Sequence, residues 1–226
     1  MKNKAPSLRE IVSNVFVLTY DTQYDLAMSF VRMQEFYESP KFRNKYFTLE
    51  EYMDYWAKDY GDGSFDYPSR WNGFNVPGEI LYKWYEKFIV EDGLREKEKV
   101  IIEKLLKRLE TSENFKKIYL IGSHREGGSE LSKNIIDHEL AHAMYALYPE
   151  YKKACAKLSI AMHHTKEGKL IYERMGQKLI DMGYGKNVIE DEIQAYFSTE
   201  YFCSTKIDHI KEFKNNFKKF KKKLKK

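Results

Sequence analysis

The sequence predicts an α+β fold that is mainly helical, and three observations carry that expectation. Apolar residues recur at steps of three and four in most segments from Asp25 onward. Only two runs, 14–20 and 117–123, are short and apolar in the way strands are, so any sheet is small. The third is size: 226 residues with 42% hydrophobic and 15% aromatic content can bury a real core, as one large domain or two small intimate ones.

Taken in order, Asn14 to Tyr20 reads as the first strand, ended by Asp21. A helix over 25–37 follows, with Leu26, Phe30, Met33 and Phe36 or Tyr37 at helical spacing, and Pro40 stops it. Residues 42–47 are a basic and aromatic connector. Thr48-Leu49-Glu50-Glu51 is a capping-box pattern that opens a helix running to about Tyr60. Residues 61–78 hold four glycines and two prolines and read as one long loop. Its Phe65, Tyr67, Trp71 and Phe74 either line a substrate groove or pin the loop onto the core. Two helices over 79–88 and 94–109 come next, the second with a charged, solvated outer face.

The strand over 117–123 leads into a turn at 124–129, and Ser132 or Asn134 then caps a helix that Pro149 ends near Tyr148. Helices over 150–163 and 170–182 follow. Cys155, Leu158 and Met162 of the first read as core, and Gly183 and Gly185 close the second. An amphipathic helix over 188–197 comes next. From Lys206 to Lys226, Ile210, Phe213, Phe217, Phe220 and Leu224 form an apolar stripe on a lysine-rich helix. That tail carries +8 of charge and leaves −3 for the residues before it. Its stripe can pack on the acidic body, or the helix can contact an anionic surface, either lipid or nucleic-acid phosphate.

Several classes drop out. The apolar run over 11–20 is broken by Ser13 and Asn14 and is too short to cross a bilayer, so no transmembrane segment is expected. Cys155 and Cys203 form no C-x-x-C pair, and no secretory apolar segment follows Met1, so a reducing cytoplasm is the expected setting. The N-terminal half shows no internal repeat or low-complexity tract.

One stretch carries chemistry. His138-Glu139-Leu140-Ala141-His142 is an H-E-x-x-H pattern. On a helix the two imidazoles lie one turn apart on one face and can reach a single ion, with Glu139 beside them. Neutral imidazoles suit Zn²⁺, a catalytic site keeps one position open for water, and a neighbouring carboxylate can take that water's proton and hand it to a leaving amine. Glu139 is placed for this role and is not expected to be a ligand. With 6 His and 23 Glu in the chain, chance would produce the pattern about 0.02 times. Ile135, Ile136, Leu140, Ala143, Met144 and Leu147 give the helix the apolar side that a core position needs.

The segment resembles the active-site helix of the zincin metallopeptidases. The metzincin branch continues with G-x-x-H, but Tyr145 and Tyr148 stand at those offsets. The resemblance is therefore to the gluzincin branch, in which a Glu from a later helix is the third ligand. Glu192, with the small Ala195 three positions on, matches that pattern. Glu190 and Asp191 are the fallback candidates, because a helix turns about 100° per residue and only one of the three can face the ion. Thermolysin-like enzymes place a His-orienting Asp one turn after the Glu ligand, where this chain has Tyr196, whose phenol can also hydrogen-bond an imidazole. Asp137 is another candidate for orienting a ligand. Tyr196, Tyr201, His124, His163 and His164 are the candidate donors to an oxyanion, and spacing selects none.

The resemblance covers roughly residues 116–203. It implies a zincin-like core with a small sheet, organised as a single domain over 1–205 with an N-terminal helical and aromatic part at 1–115 and a metal-binding core at 116–205. The basic amphipathic helix at 206–226 follows. It further implies a Zn²⁺ cofactor, a peptide or protein substrate, and hydrolysis of peptide bonds by attack of zinc-bound water. The strand over 117–123 stands where zincins keep a sheet edge for the substrate backbone, although an ordinary buried strand fits equally. A non-catalytic protein-binding or regulatory module on a zincin fold is the competing reading.

Overall fold

The computed structural model describes residues 5–109, 112–182, 184–186, 188–199 and 208–224. Helices dominate, and the strands form one small mixed sheet, so the fold is α+β and mainly helical. The chain divides into two compact units, Met1–Ile136 and Asp137–Lys226. The boundary between the units falls inside a helix, and the terminal helix belongs to the second unit.

The first unit opens with a hairpin of β1 (Ser7–Val12) and β2 (Val15–Tyr20). Asn14 makes the turn at a φ of 62°, a left-handed conformation that Asn tolerates. β1 escapes the sequence pattern because Ser7, Arg9 and Glu10 break its apolar alternation, as befits an edge strand. α1 (Gln23–Glu38) and α2 (Leu49–Asp59) follow. The predicted capping box is present: the Glu51 N–H donates to Thr48 Oγ1 at 3.1 Å and the Thr48 N–H to Glu51 Oε2 at 2.7 Å.

Residues 61–78 are not one loop but contain α3 (Tyr67–Arg70) and β3 (Phe74–Pro77). Tyr67 and Phe74 are buried in the core, with Phe65 and Trp71 packed against it, so these aromatics pin the segment. α4 (Gly78–Glu91) and α5 (Glu96–Leu109) are the two expected helices with shifted ends. A single turn, α6 (Ser112–Phe115), precedes β4 (Tyr119–His124).

The strand order is β1-β2-β4-β3, with β2 parallel and β3 antiparallel to β4. Every residue of β2 and β4 is buried, which is why both read as continuous apolar runs. β4 is hydrogen-bonded on both sides, so it offers no free edge to a substrate backbone and the edge role expected for it is overturned. Gly122 lets α1 approach β4: a Cβ there would sit 2.7 Å from Leu26 Cδ1 and 2.9 Å from Phe30 Cζ.

Glu35 on α1 lies half-buried near Tyr52, Tyr67 and Ser39. Burial pushes its pKa up to about 7 against the opposing Tyr52 hydrogen bond. Because the folded pKa is raised, its contribution is fully present below the unfolded value of 4.5 and is lost as pH rises through about 7. A Glu35→Gln variant should therefore be more stable than wild type by on the order of 2 kcal/mol above about pH 8, and no more stable below about pH 4. Urea melts at the two pH values test this, and an equal difference at both would refute it.

α7 (Ser129–Leu147) starts in the first unit and continues into the second. It begins right after Gly127 and Gly128, whose φ values are 85° and 95°, so the expected caps Ser132 and Asn134 lie inside it. α8 (Pro149–His163), α9 (Lys166–Asp181), α10 (Ile189–Thr199) and α11 (Asp208–Leu224) complete the second unit. Pro149 sits in the first turn of α8, where its missing N–H is no loss. α11 packs on α8 and α10 with Ile210, Phe213 and Phe217 buried, each such side chain contributing roughly 1.5–3 kcal/mol. Phe220 meets the Tyr151 ring at 5.3 Å. The tail's apolar stripe thus faces its own unit. Cys155 is buried and free, as a core residue, while Cys203 lies outside the described residues. Among the described residues no helix is long and apolar enough to cross a membrane.

Candidate metal centre

Two helices of the second unit build the site. α7 supplies His138, Glu139 and His142, one turn apart as their spacing requires, and α10 supplies Asp191 and Glu192. Donor atoms of His138, His142 and Glu192 all lie within 4.8 Å of one another. The two Nε2 atoms are 3.3 Å apart, and Glu192 oxygens stand 3.7 Å from His142 Nε2 and 4.0 Å from His138 Nε2.

The protons on the two rings follow from their other contacts. His142 Nδ1 is 3.0 Å from Asp191 Oδ1, so that nitrogen carries a hydrogen. Asp191 is itself held: Gln194 Nε2 donates to its Oδ1 at 2.9 Å and to the Ala141 carbonyl at 3.2 Å, while Tyr151 Oη donates to Gln194 Oε1 at 3.0 Å. On His138, Nδ1 meets Thr199 Oγ1 at 3.4 Å. The Thr199 hydroxyl directs its own proton to the Ala195 carbonyl at 2.7 Å, so it accepts from His138. Neutral imidazoles oriented this way point both Nε2 lone pairs at each other and at a carboxylate.

Such a meeting of acceptors favours a cation between them, a metal ion or a proton. Without a metal, a proton fills the role. Burial opposes charge on His142, but the Asp191 and Glu192 carboxylates overcome it and raise its pKa well above 6.5. Burial and the neighbouring His142 charge then lower His138 to about 3. A metal ion fits the same place: two nitrogens bound about 2.0–2.1 Å from a tetrahedral ion are about 3.3 Å apart, the spacing seen here. The carboxylate oxygens are a few tenths of an ångström wider than that. Two imidazoles and a carboxylate suit zinc and other divalent first-row ions alike.

The three acids of α10 take separate roles. Glu190 is exposed, Asp191 engages His142 Nδ1, and Glu192 faces the two Nε2 atoms. Asp191 therefore holds the His142 ring from behind and stands outside the three donor groups that converge. Tyr196 sets its ring edge against His138 at 4.8 Å between centroids. Asp137 is ion-paired with Lys221 of α11, so the expectation that it orients a ligand histidine is replaced by a tie to the terminal helix. His163 and His164 are exposed at the end of α8, and His163 Nδ1 binds the Ser159 carbonyl. His124 belongs to the first unit, where its Nε2 meets Asn72 Oδ1 at 3.3 Å. Tyr201 lies outside the described residues.

Sequence reasoning missed Tyr184 and Thr199. Burial raises the Tyr184 phenol, reinforced by Glu192, by Tyr196 to which it is hydrogen-bonded, and by Glu139. Tyr184 sits between helices, where no periodicity marks it. Thr199 does carry a signal, since it stands seven residues after Glu192, two turns along α10.

Asp191→Ala should weaken metal retention about 10–100-fold while leaving the three ligands in place. Chelator competition measures it, and an unchanged affinity would show that Asp191 has no hold on His142. Compared with known proteins, no family model, no curated protein and no solved structure matches the chain.

Proposed function

We propose that the chain is a zinc-dependent metallopeptidase of the gluzincin kind, with His138, His142 and Glu192 holding Zn²⁺ and Glu139 as general base and then acid. The observation that supports this most is the convergence of two Nε2 lone pairs and the Glu192 carboxylate on one point, each imidazole fixed from behind through Nδ1. Bound there, the ion would act as a Lewis acid and make a water easier to deprotonate.

The chain's own residues do the rest. Glu139 is buried, one residue from a ligand on α7 and close enough to affect His142 electrostatically. A carboxylate in that position can accept a proton from water and return it to the departing amine. Tyr184 keeps its phenolic proton and, with Tyr196, forms a hydroxyl pair able to donate to an oxyanion. Asp191 and Thr199 hold the imidazoles in the tautomer that binds a metal.

The test is elemental analysis of the purified protein together with cleavage of a peptide library, with and without chelator. About one zinc per chain and chelator-sensitive cleavage are expected. Zinc without cleavage would move the chain to a non-catalytic module, and no metal even after zinc addition would end the metal reading.

A further inference from the structure

α11 holds two opposite faces. Ile210, Phe213 and Phe217 are buried against α8 and α10, while Lys218, Lys219, Lys222 and Lys223 are exposed. At 100° per residue those four lysines fall within one arc on the side away from the phenylalanines. The acids of α11 are occupied near its start, Asp208 with Lys211 and Glu212 with His209. Lys221 is tied to Asp137. Among the described residues the other four have no carboxylate partner. They stand as two like-charged pairs, each one turn apart, an arrangement that works against the helix unless an anion answers it. The helix end offsets only part of that repulsion, for the last turn.

We infer that this lysine face binds the phosphate backbone of nucleic acid without regard to sequence. Charge complementarity selects a polyanion, and the buried stripe selects among polyanions. A membrane-surface helix inserts its apolar face into the lipid, and here that face is committed to the second unit's own core. The aromatic residue beside the arc, Phe220, packs its ring against Tyr151 and lies under the Lys223 ammonium at 5.9 Å, so its faces are already engaged and the fit is to duplex phosphates. Lys218 to Lys223 spans about 7.5 Å of helix, a length of duplex axis that carries about four phosphates with both strands counted, about two on each strand. Ammonium groups serve here as point charges that need no fixed orientation.

The experiment measures binding of the full chain to a short mixed-sequence DNA duplex by fluorescence anisotropy across a salt series. Wild type should bind at low salt with a steep linear salt dependence. Replacing all four lysines by Gln should weaken low-salt binding at least about tenfold and reduce the slope of log Kobs against log salt by roughly 3 to 4. Circular dichroism checks the fold of that variant; if it is altered, Lys218→Gln with Lys222→Gln is used, with a slope change of about 2. His142→Ala should bind the duplex as wild type does, which separates this surface from the metal reading. Absence of duplex binding at low salt, binding that survives loss of the lysines, or tighter binding to phosphatidylserine vesicles at equal phosphate concentration would each overturn the inference.

Discussion

Replacing Glu139 by Gln should leave about one zinc per chain and lower peptide hydrolysis by about 10²–10⁴-fold, the range by which a positioned acid–base group acts. Gln keeps the size and polarity of the side chain but cannot take a proton from water. Glu139 sits on α7 between the two histidines, yet the donor atoms that converge are those of His138, His142 and Glu192. Metal retention and turnover should therefore separate in this variant. Single-turnover assays beside elemental analysis decide it: metal lost with activity would make Glu139 a ligand, and full turnover would remove it from the mechanism.

The second large effect belongs to His142. In His142→Ala the zinc content should fall from about one per chain to near zero, and cleavage should fall with it. A thermodynamic readout accompanies the loss. Zinc at a hundred times its Kd stabilises the wild-type fold by about 2.7 kcal/mol, whereas the variant should gain almost nothing from added metal. Without metal, the Asp191 and Glu192 carboxylates favour a proton on His142, against the opposing effect of its burial. The variant leaves Asp191 without its imidazole while Gln194 still donates to it, so the second unit should remain folded. Melting curves with and without zinc test both points, and an unchanged zinc response would place the site elsewhere.

What the sequence made legible followed from periodicity and chemistry at short range. The H-E-x-x-H helix, the Thr48 capping box and the phenylalanine stripe of α11 all depend on residues within a few turns of one another, whereas Glu192 comes only from the family resemblance. What it hid depends on distant partners. β4 reads as an apolar strand whether it lies at an edge or in the middle, and only its pairing with β2 and β3 decides. β1 carries too many polar residues to show alternation. Asp191 and Glu192 are neighbours in sequence, and which one faces the Nε2 atoms depends on how α10 is rotated against α7. Lys221 reaches Asp137 across 84 residues, a separation at which no local pattern operates.

The helices α7 and α10 are both synthesised before α11, which packs on α8 and α10 with Ile210, Phe213 and Phe217 buried and ties Lys221 to Asp137 of α7. During translation the second unit is therefore an open shell until α11 leaves the ribosome, with its histidines already made and their surroundings incomplete. On the zinc reading proposed above, acquisition of the metal would be a late event that reports completion of the unit. A ribosome-bound chain stalled after Thr199 should take up zinc far more weakly than one stalled well after Leu224.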